Sequence, residues 1–458
     1  MACEKKIVSN LTVKVGLVLL AGCILVPISL VTMFRHYAVP LQTLSLLFSV
    51  GSASSVMWEH GRIGSHRSGR NEGPVLCDFS SPRSDVCELK GDVRVLPNAT
   101  IVLLHPSATR QSWTMKPHAR KNDGHALAHV TEVTVASSRP ADRAVPRCTD
   151  KHAAAAVILS VGGYAGNMFH DLTDVLVPLF ITTWRFGGDV HLLVSDAQPW
   201  WLDKFRPLLR GLSRHDVVDM DRERTAVLCY PHVIVGLEFH KEMSVDAART
   251  AGDYSMADFA RLARRSYGLT RDTAIRLHHG RDGNHSSGHP RLLIISRKAT
   301  RAFTNVGAVA RTAAALGYEV VVGEAERHAD LPSFARLVNS CDVLVGVHGA
   351  GLGNLVFLPA GAVMVQVVPL GGLDAMAAED FGAPARDMGL GYVHYGIAVE
   401  ESTLARRYPR DHRVLRDPAA VRREGWMALR SAYLVGQNVT IDVRRFRSAL
   451  RRALELLR

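Results

Sequence analysis

Hydrophobic and polar positions divide the chain into segments of different texture. The first is an unbroken apolar run, Val15–Phe34 (VGLVLLAGCILVPISLVTMF), without a formal charge. Its length matches the ~20 residues a helix needs to cross a bilayer. Lys5, Lys6 and Lys14 precede it, and cationic flanks favour the cytosolic side. The run is longer than the roughly 7–15 apolar residues of a cleaved signal peptide, so it reads as a signal-anchor; membrane helices tolerate a proline such as Pro27. A weaker run at 38–58 is broken by Gln42 and rich in Ser and Gly, and a second membrane segment there is the alternative to a single span. From Glu59 to Arg147, Ser, Pro, Gly and charged residues predominate. Only Arg94–Leu96 and Thr100–Leu104 look like strands. This texture predicts a stem passing into an irregular cap.

From Ala153 onward short aliphatic runs alternate with helical stretches. VILSV (157–161), DVHLLVS (189–195) and the TAVLCY and HVIVGL runs (225–237) read as buried strands, with a helix over Leu172–Trp184. The polar stretch His278–Pro290 reads as a linker. A second set follows: strand RLLIIS (291–296), helix Val306–Leu316, strand YEVVVG (318–323), helix Ser333–Ser340, strand DVLVGV (342–347) and strand GAVMVQVVP (361–369). Such alternation implies parallel, doubly wound sheets, and two sets imply two facing α/β domains with a cleft between them. Asp442–Leu457 places Val443, Phe446, Leu450, Leu454 and Leu457 on one face, an amphipathic closing helix. The expected division is a cytosolic tail at 1–14, a transmembrane anchor at 15–34, stem and cap at 35–150, α/β domains at 151–288 and 289–440, and a closing helix at 441–458.

Charge alters this picture little. Lys and Arg number 55 against 43 Asp and Glu, a formal +12, which alone would invite a nucleic-acid partner. Residues 401–458, however, hold fourteen Arg against six acids, and 1–58 hold four cations against Glu4, so the middle of the chain is nearly neutral. No aromatic–basic interleaving occurs, and a lumenal domain would not meet nucleic acid. Sequons at Asn98, Asn284 and Asn438 are glycosylation acceptors consistent with a lumenal location. Cys77, Cys87, Cys148, Cys229 and Cys341 would lie in that oxidising space. Cys77 and Cys87 are spaced to bridge a short loop, and an odd total leaves a thiol free or paired between chains. No zinc-type Cys/His spacing occurs.

Three elements carry candidate chemistry. The turn Val347-His348-Gly349-Ala350-Gly351-Leu352-Gly353-Asn354 follows a strand and opens a helical run. Glycines there admit a ligand to the backbone, and free N–H groups suit a pyrophosphate. His348 adds a hydrogen bond or a charge. The alternative is a turn that needs glycine for geometry alone. The pattern departs from G-x-G-x-x-G and lacks a Walker lysine, which disfavours NAD and ATP. Arg297, Lys298 and Arg301 (SRKATR, 296–301) end the first strand of the same set, where cations suit a diphosphate without a metal; otherwise they form a solvated basic loop. Glu324, at the end of the next strand, is placed for sugar or ribose hydroxyls. The third element, GGYAGNMFHDLTD (162–174), gathers His170, Asp171 and Asp174, with His170 and Asp174 on one helical face. One of the three could deprotonate an acceptor hydroxyl, or they could cap the helix and fill the core. Asp219-Met-Asp221 has the form of a sugar-transferase metal motif, but paired acids are common.

With these residues in view, the chain resembles glycosyltransferase family 61, in particular its plant xylan arabinosyl- and xylosyltransferases. The resemblance runs from CDFSSPRSDVCELKGDVRV (77–95) through GGYAGNMFHDLTDVLVPLF (162–180), SRKATR (296–301), VGVHGAGLGN (345–354) and FGAPARDMGLGYVHY (381–395) to the final helix. It implies a Golgi type II membrane enzyme of GT-B-like architecture that inverts the anomeric centre. The donor would be a UDP-pentose, carrying L-arabinofuranose or xylose, and the acceptor xylan or a xylo-oligosaccharide, without a divalent metal and in possible company with other wall-synthesis transferases. UDP would be held by Arg297, Lys298, Arg301, Glu324 and the His348–Asn354 turn, with the base among His170, Asp171 and Asp174. A catalytically inactive member serving as scaffold or glycan binder is the other class to weigh.

Overall fold

Two β-sheets organise the chain in a computed structural model, which describes residues 75–458 apart from 109, 143, 224, 251, 278–287 and 325–329. The expected anchor at 15–34, the run at 38–58, most of the stem and Asn284 lie outside the described residues. Among the described residues no helix is long and apolar enough to cross a membrane.

The first sheet has ten strands: β1 (Val75–Asp78), β2 (Val86–Leu96), β3 (Thr100–Leu104), β4 (Gln111–Met115), β5 (Val133–Ser138), β6 (Asp150–Lys151), β7 (Ala155–Ser160), β8 (Val190–Ser195), β9 (Val218–Asp219) and β10 (Leu228–Val235). Their order is β4-β5-β3-β2-β10-β7-β8-β9, with β1 on β2 and β6 on β10. Two expectations change here. Residues 75–138, expected as stem and irregular cap, supply five strands of this sheet. The sheet is also mixed rather than doubly wound: β10, β7, β8 and β9 run parallel, while β2 is antiparallel to β1, β3 and β10. The physical reason is visible in β2. Cys87, Leu89, Val93 and Val95 are buried while Lys90, Gly91 and Asp92 are exposed. A strand covered on one face alternates, and a search for continuous apolar runs passes over it. Pro231, inside β10, falls at a register shift between Tyr230 and His232, where a missing N–H is tolerated.

The second sheet has the four expected strands and a fifth, unexpected one at Gly391–Gly396. β11 (Arg291–Ser296), β12 (Glu319–Glu324), β13 (Val343–Val347), β14 (Val363–Val368) and β15 (Gly391–Gly396) are all parallel, in the order β12-β11-β13-β14-β15. The closing helix Val443–Leu456 buries Phe446, Ala449, Leu450 and Ala453, and Phe446 meets Tyr395 of β15 edge-on.

The helix after β7, here α1, starts at Met168–His170, continues as a π-helix over Asp171–Leu176 and returns to α over Val177–Thr183. Its residues Leu172, Val175 and Phe180 share one apolar core with Ile294, Val345 and Leu352 of the second sheet's half. The tightest approach is at Gly353, where a Cβ would lie 3.1 Å from both Met168 Cγ and Leu172 Cδ1. Disulfides join Cys77 to Cys87 and Cys148 to Cys229, leaving Cys341 buried as a free thiol. The odd cysteine is thus an interior one.

Candidate active site

Strand order in the second sheet reverses between β11 and β13, and doubly wound sheets take ligands at the carboxyl ends of strands flanking such a reversal. Both loops singled out from the sequence arrive there. Arg301 has a left-handed φ of 55°, and its Nη1 donates to the His348 carbonyl at 2.8 Å. Arg297 Nε donates to the Thr300 carbonyl at 2.8 Å. Both guanidinia lie against Gly349, where φ is 147° and a Cβ would meet Arg301 Nη1 at 2.8 Å and Arg297 Nη1 at 3.0 Å. Glycine is required here on two counts, backbone and space.

Neither arginine has a carboxylate partner among the described residues. Burial, then the like charges of Arg297 and Arg430, push Arg301 down to about 10, and burial lowers Arg297 as well. Arg301 Nε and Asn354 Oδ1 are buried without a protein partner. Two neighbouring half-buried cations that repel each other form a poor structural element and a good anion site. His348 adds a neutral donor. Tyr392 Oη donates to Gln366 Oε1 and Gln366 Nε2 donates to His348 Nδ1, each at 2.9 Å. That relay leaves the proton on His348 Nε2. Burial and the two arginines push the ring down to about 3, so it stays uncharged.

The other half of the site is built on the π-helical turn of α1. His170 Nδ1 donates to Asp174 Oδ2 at 2.9 Å. Arg120 Nε donates to the same oxygen at 2.8 Å, and Arg83 Nη2 reaches Oδ1 at 3.4 Å. Burial would raise the Asp174 carboxyl, but the His170 hydrogen bond and the Arg120 charge outweigh it and hold the group below the usual carboxylate range. Arg83 also pairs with Glu242 at 2.9 Å, which in turn accepts from Thr173. Every charge around Asp174 is therefore matched. With Nδ1 committed, His170 Nε2 is left as an acceptor, the arrangement of a His base oriented by a carboxylate. Asp171 is 1 % exposed and locked by Gly166 N, Trp201 Nε1 and Lys204; it shapes the loop and does not face the cleft. The sequence pattern captured His170 and Asp174 but not Arg83, Arg120 or Glu242, which reach them from distant parts of the chain.

Asp380 is the other residue that sequence reading missed. It lies in the short π-turn Ala378–Gly382, with Oδ2 3.8 Å from His348 Nε2. Burial, then Glu242 and Glu379, push its carboxyl up to about 7. In the sequence it belongs to an ordinary helical surface run, AAED, and nothing local marks it. Phe381 beside it meets both His348 and Phe169, and Phe169 meets His170. Aromatic contacts thus connect the arginine side to the histidine side.

A cavity of about 790 Å³ is lined by residues of both halves. Of the expected contacts, Arg297, Lys298, Glu324, Gly351 and Asn354 are on its wall. Arg301, His348 and Gly349 stand immediately behind Arg297. Lys298 and Glu324 pair with each other at 2.6 Å, while Gly353 packs on α1. Asp219 receives Asp221 N and pairs with Arg222 within its own turn, while Asp221 receives Ala197 N and ties that turn to the loop after β8. Among the described residues no group of three His, Cys, Asp or Glu side chains is arranged to hold a metal ion. Asn98 is exposed in the β2–β3 turn, whereas Asn438 is half-buried and its Oδ1 accepts from Ala302 N.

Comparison with known proteins places this geometry. Residues 168–365, which hold α1, both loops of the second sheet and the Gly-rich turn, match the family described as Glycosyltransferase 61. The chain is similar to the alpha-1,3-arabinosyltransferase XAT3 of Oryza sativa subsp. japonica, 46% identical over 83% of this chain and 65% of that protein. It thus spans slightly less than two thirds of that relative's length. It is also similar to the beta-1,2-xylosyltransferase XYXT1 of the same rice, 41% identical over 84% of each chain. The xylan glycosyltransferase MUCI21 of Arabidopsis thaliana is 31% identical over 85% of this chain and 81% of its own. With that extent of match, and with the site's loops inside it, the chain belongs to glycosyltransferase family 61.

Proposed function

We propose that this protein is an inverting pentosyltransferase that moves L-arabinofuranose or xylose from a UDP-sugar to the xylan backbone. It would be a single-pass type II Golgi membrane enzyme of GT-B-like architecture with its site in the lumen. The observation that carries the reading is the pair of guanidinia, Arg297 on the cavity wall and Arg301 behind it, both against Gly349 and without a carboxylate partner among the described residues. A leaving diphosphate develops negative charge as the glycosidic bond breaks, and fixed cations with buried donors stabilise it. His348 Nε2–H is a neutral donor beside that position. Behind Tyr164 of the cavity wall, His170 Nε2 would accept the acceptor hydroxyl's proton, with Asp174 stabilising the imidazolium that forms. Asp380, whose carboxyl burial pushes up to about 7, supports a second assignment of the base. The relatives' names support the pentose and the xylan acceptor. Two disulfides fit an oxidising compartment. An assembled His–Asp pair disfavours the inactive-scaffold alternative.

The test is to incubate the purified full chain with UDP-arabinofuranose and UDP-xylose on xylo-oligosaccharides and to determine the linkage and anomeric configuration of the product. An inverted pentosyl linkage is expected. Transfer with retained configuration, or no UDP binding, refutes the reading. Comparing His170→Ala with Asp380→Asn assigns the base, since only one should abolish turnover while keeping UDP affinity.

A further inference from the structure

The cavity has two walls of different chemistry. One carries Arg297, Lys298, Glu324, Leu331 and Phe334 and suits the nucleotide diphosphate. The other carries Tyr164, His125 and His129 between glycine-rich segments, and no role has yet been given to it. Its rings form a row. His129 lies 5.5 Å from His125, His125 stacks on Tyr164 at 5.6 Å with planes 15° apart, and Tyr164 contacts His170 at 4.5 Å. The row therefore begins at exposed rings and ends on the residue placed as the base.

This row is held in position. Tyr164 Oη donates to both carboxylate oxygens of Asp123, at 3.2 and 3.1 Å. Asp123 also accepts from Ala126 N at 3.0 Å, capping the short helix Gly124–Leu127 that carries His125. The hydroxyl of Tyr164 is thereby committed, and what the residue offers the cavity is a ring. His125 and His129 are exposed, so their rings are not part of a core. Aromatic faces carry negative quadrupole potential, and the C–H faces of a pyranose are its electropositive complement. A neutral sugar chain laid along such rings needs no charge to hold it, unlike the nucleotide opposite.

We propose that Tyr164, His125 and His129 form the acceptor subsite, which takes a neutral pyranose oligosaccharide and delivers its reacting hydroxyl to His170. The proposal rests on the pentosyltransferase reading, which supplies the need for an acceptor. His125 and His129 extend the row away from His170, so they would contact sugar units beyond the one that reacts.

The experiment uses the full chain with His125→Ala and His129→Ala combined, neither of which touches His170 or the arginine loops. Expected is a rise of about tenfold in KM for long xylo-oligosaccharides, little change for xylobiose, and unchanged kcat and UDP affinity. Tyr164→Phe, which keeps the ring and frees Asp123, should show a smaller rise of about threefold. Calorimetric binding of xylohexaose without donor reads the same surface independently of turnover, and the double variant should lose it. Unchanged KM for long acceptors, unchanged xylohexaose binding, or failure of the unmodified chain to bind xylohexaose overturns the subsite. Failure of the unmodified chain to bind UDP overturns the transferase reading instead, and leaves the xylohexaose comparison to decide the subsite.

Discussion

The two sides of the cleft handle charge in opposite ways. Around Asp174, each ion has a counter-ion: Arg120 and Arg83 on the carboxylate, Glu242 on Arg83, His170 on the remaining hydrogen-bonding position. Around Gly349, Arg297 and Arg301 face each other's field, and neither pairs with an acid among the described residues. A matched network fixes the direction of a side chain, here the imidazole. An unmatched cluster is destabilising until an anion arrives. The comparison separates residues that orient from residues that wait for a ligand, and it makes opposite demands on mutants from the two sides.

The sharpest break would come from His170→Ala, expected to lower kcat by about 10²–10⁴-fold with UDP affinity unchanged, read by steady-state kinetics and calorimetry. Asp174→Asn should lower kcat and also cost about 3 kcal/mol in denaturant unfolding, because it strips Arg120 of its close carboxylate and leaves Arg83 only Glu242. Arg301→Met reverses that stability pattern. It should weaken UDP binding by about 10–100-fold, the worth of a charge-assisted hydrogen bond, while the ligand-free protein melts no lower than the parent. A clear drop in its melting temperature would show that the arginine cluster is structural after all.

A further test of the comparison is a pH dependence at Asp380. Its carboxyl rises from an ordinary value of 3.8 to about 7 on folding. The native state therefore holds the proton more tightly than the unfolded chain does. The stability this contributes is full below about 3.8 and is lost as pH rises through about 7. Asp380→Asn removes that loss, so the variant should gain in melting temperature over the parent at pH 8 and converge with it toward pH 4. A constant difference across pH would refute the assignment.

Much of the second sheet was legible because its inner strands β11, β13 and β14 are buried on both faces and read as aliphatic runs: RLLIIS, DVLVGV and VMVQVV stand out with no alignment. Of the first sheet, the parallel strands β7, β8 and β10 were legible, and beyond them only β3 and the last residues of β2. β2 hides its buried Cys87, Leu89, Val93 and Val95 among Glu88, Lys90 and Asp92, so half a sheet passed as cap. The site divides on similar lines. Residues adjacent in sequence, such as His170 with Asp174 or Arg297 with Arg301, announce themselves by spacing. Arg83, Arg120 and Asp380 do not, because their meaning comes from three segments brought together by folding. Asp171 looked equivalent to its neighbours, and a π-helical turn separates them: it aims Asp171 at Trp201 and Asp174 at Arg120.

Gly353 has a further bearing on the protein as an instrument. Its missing methyl group lets the glycine-rich turn rest on Met168 and Leu172, one step from His170. A Gly353→Ala chain would keep every functional group yet act as a shim, moving that turn and His170 apart by a few tenths of an ångström. The working gap of the cleft is gauged by an atom that is absent.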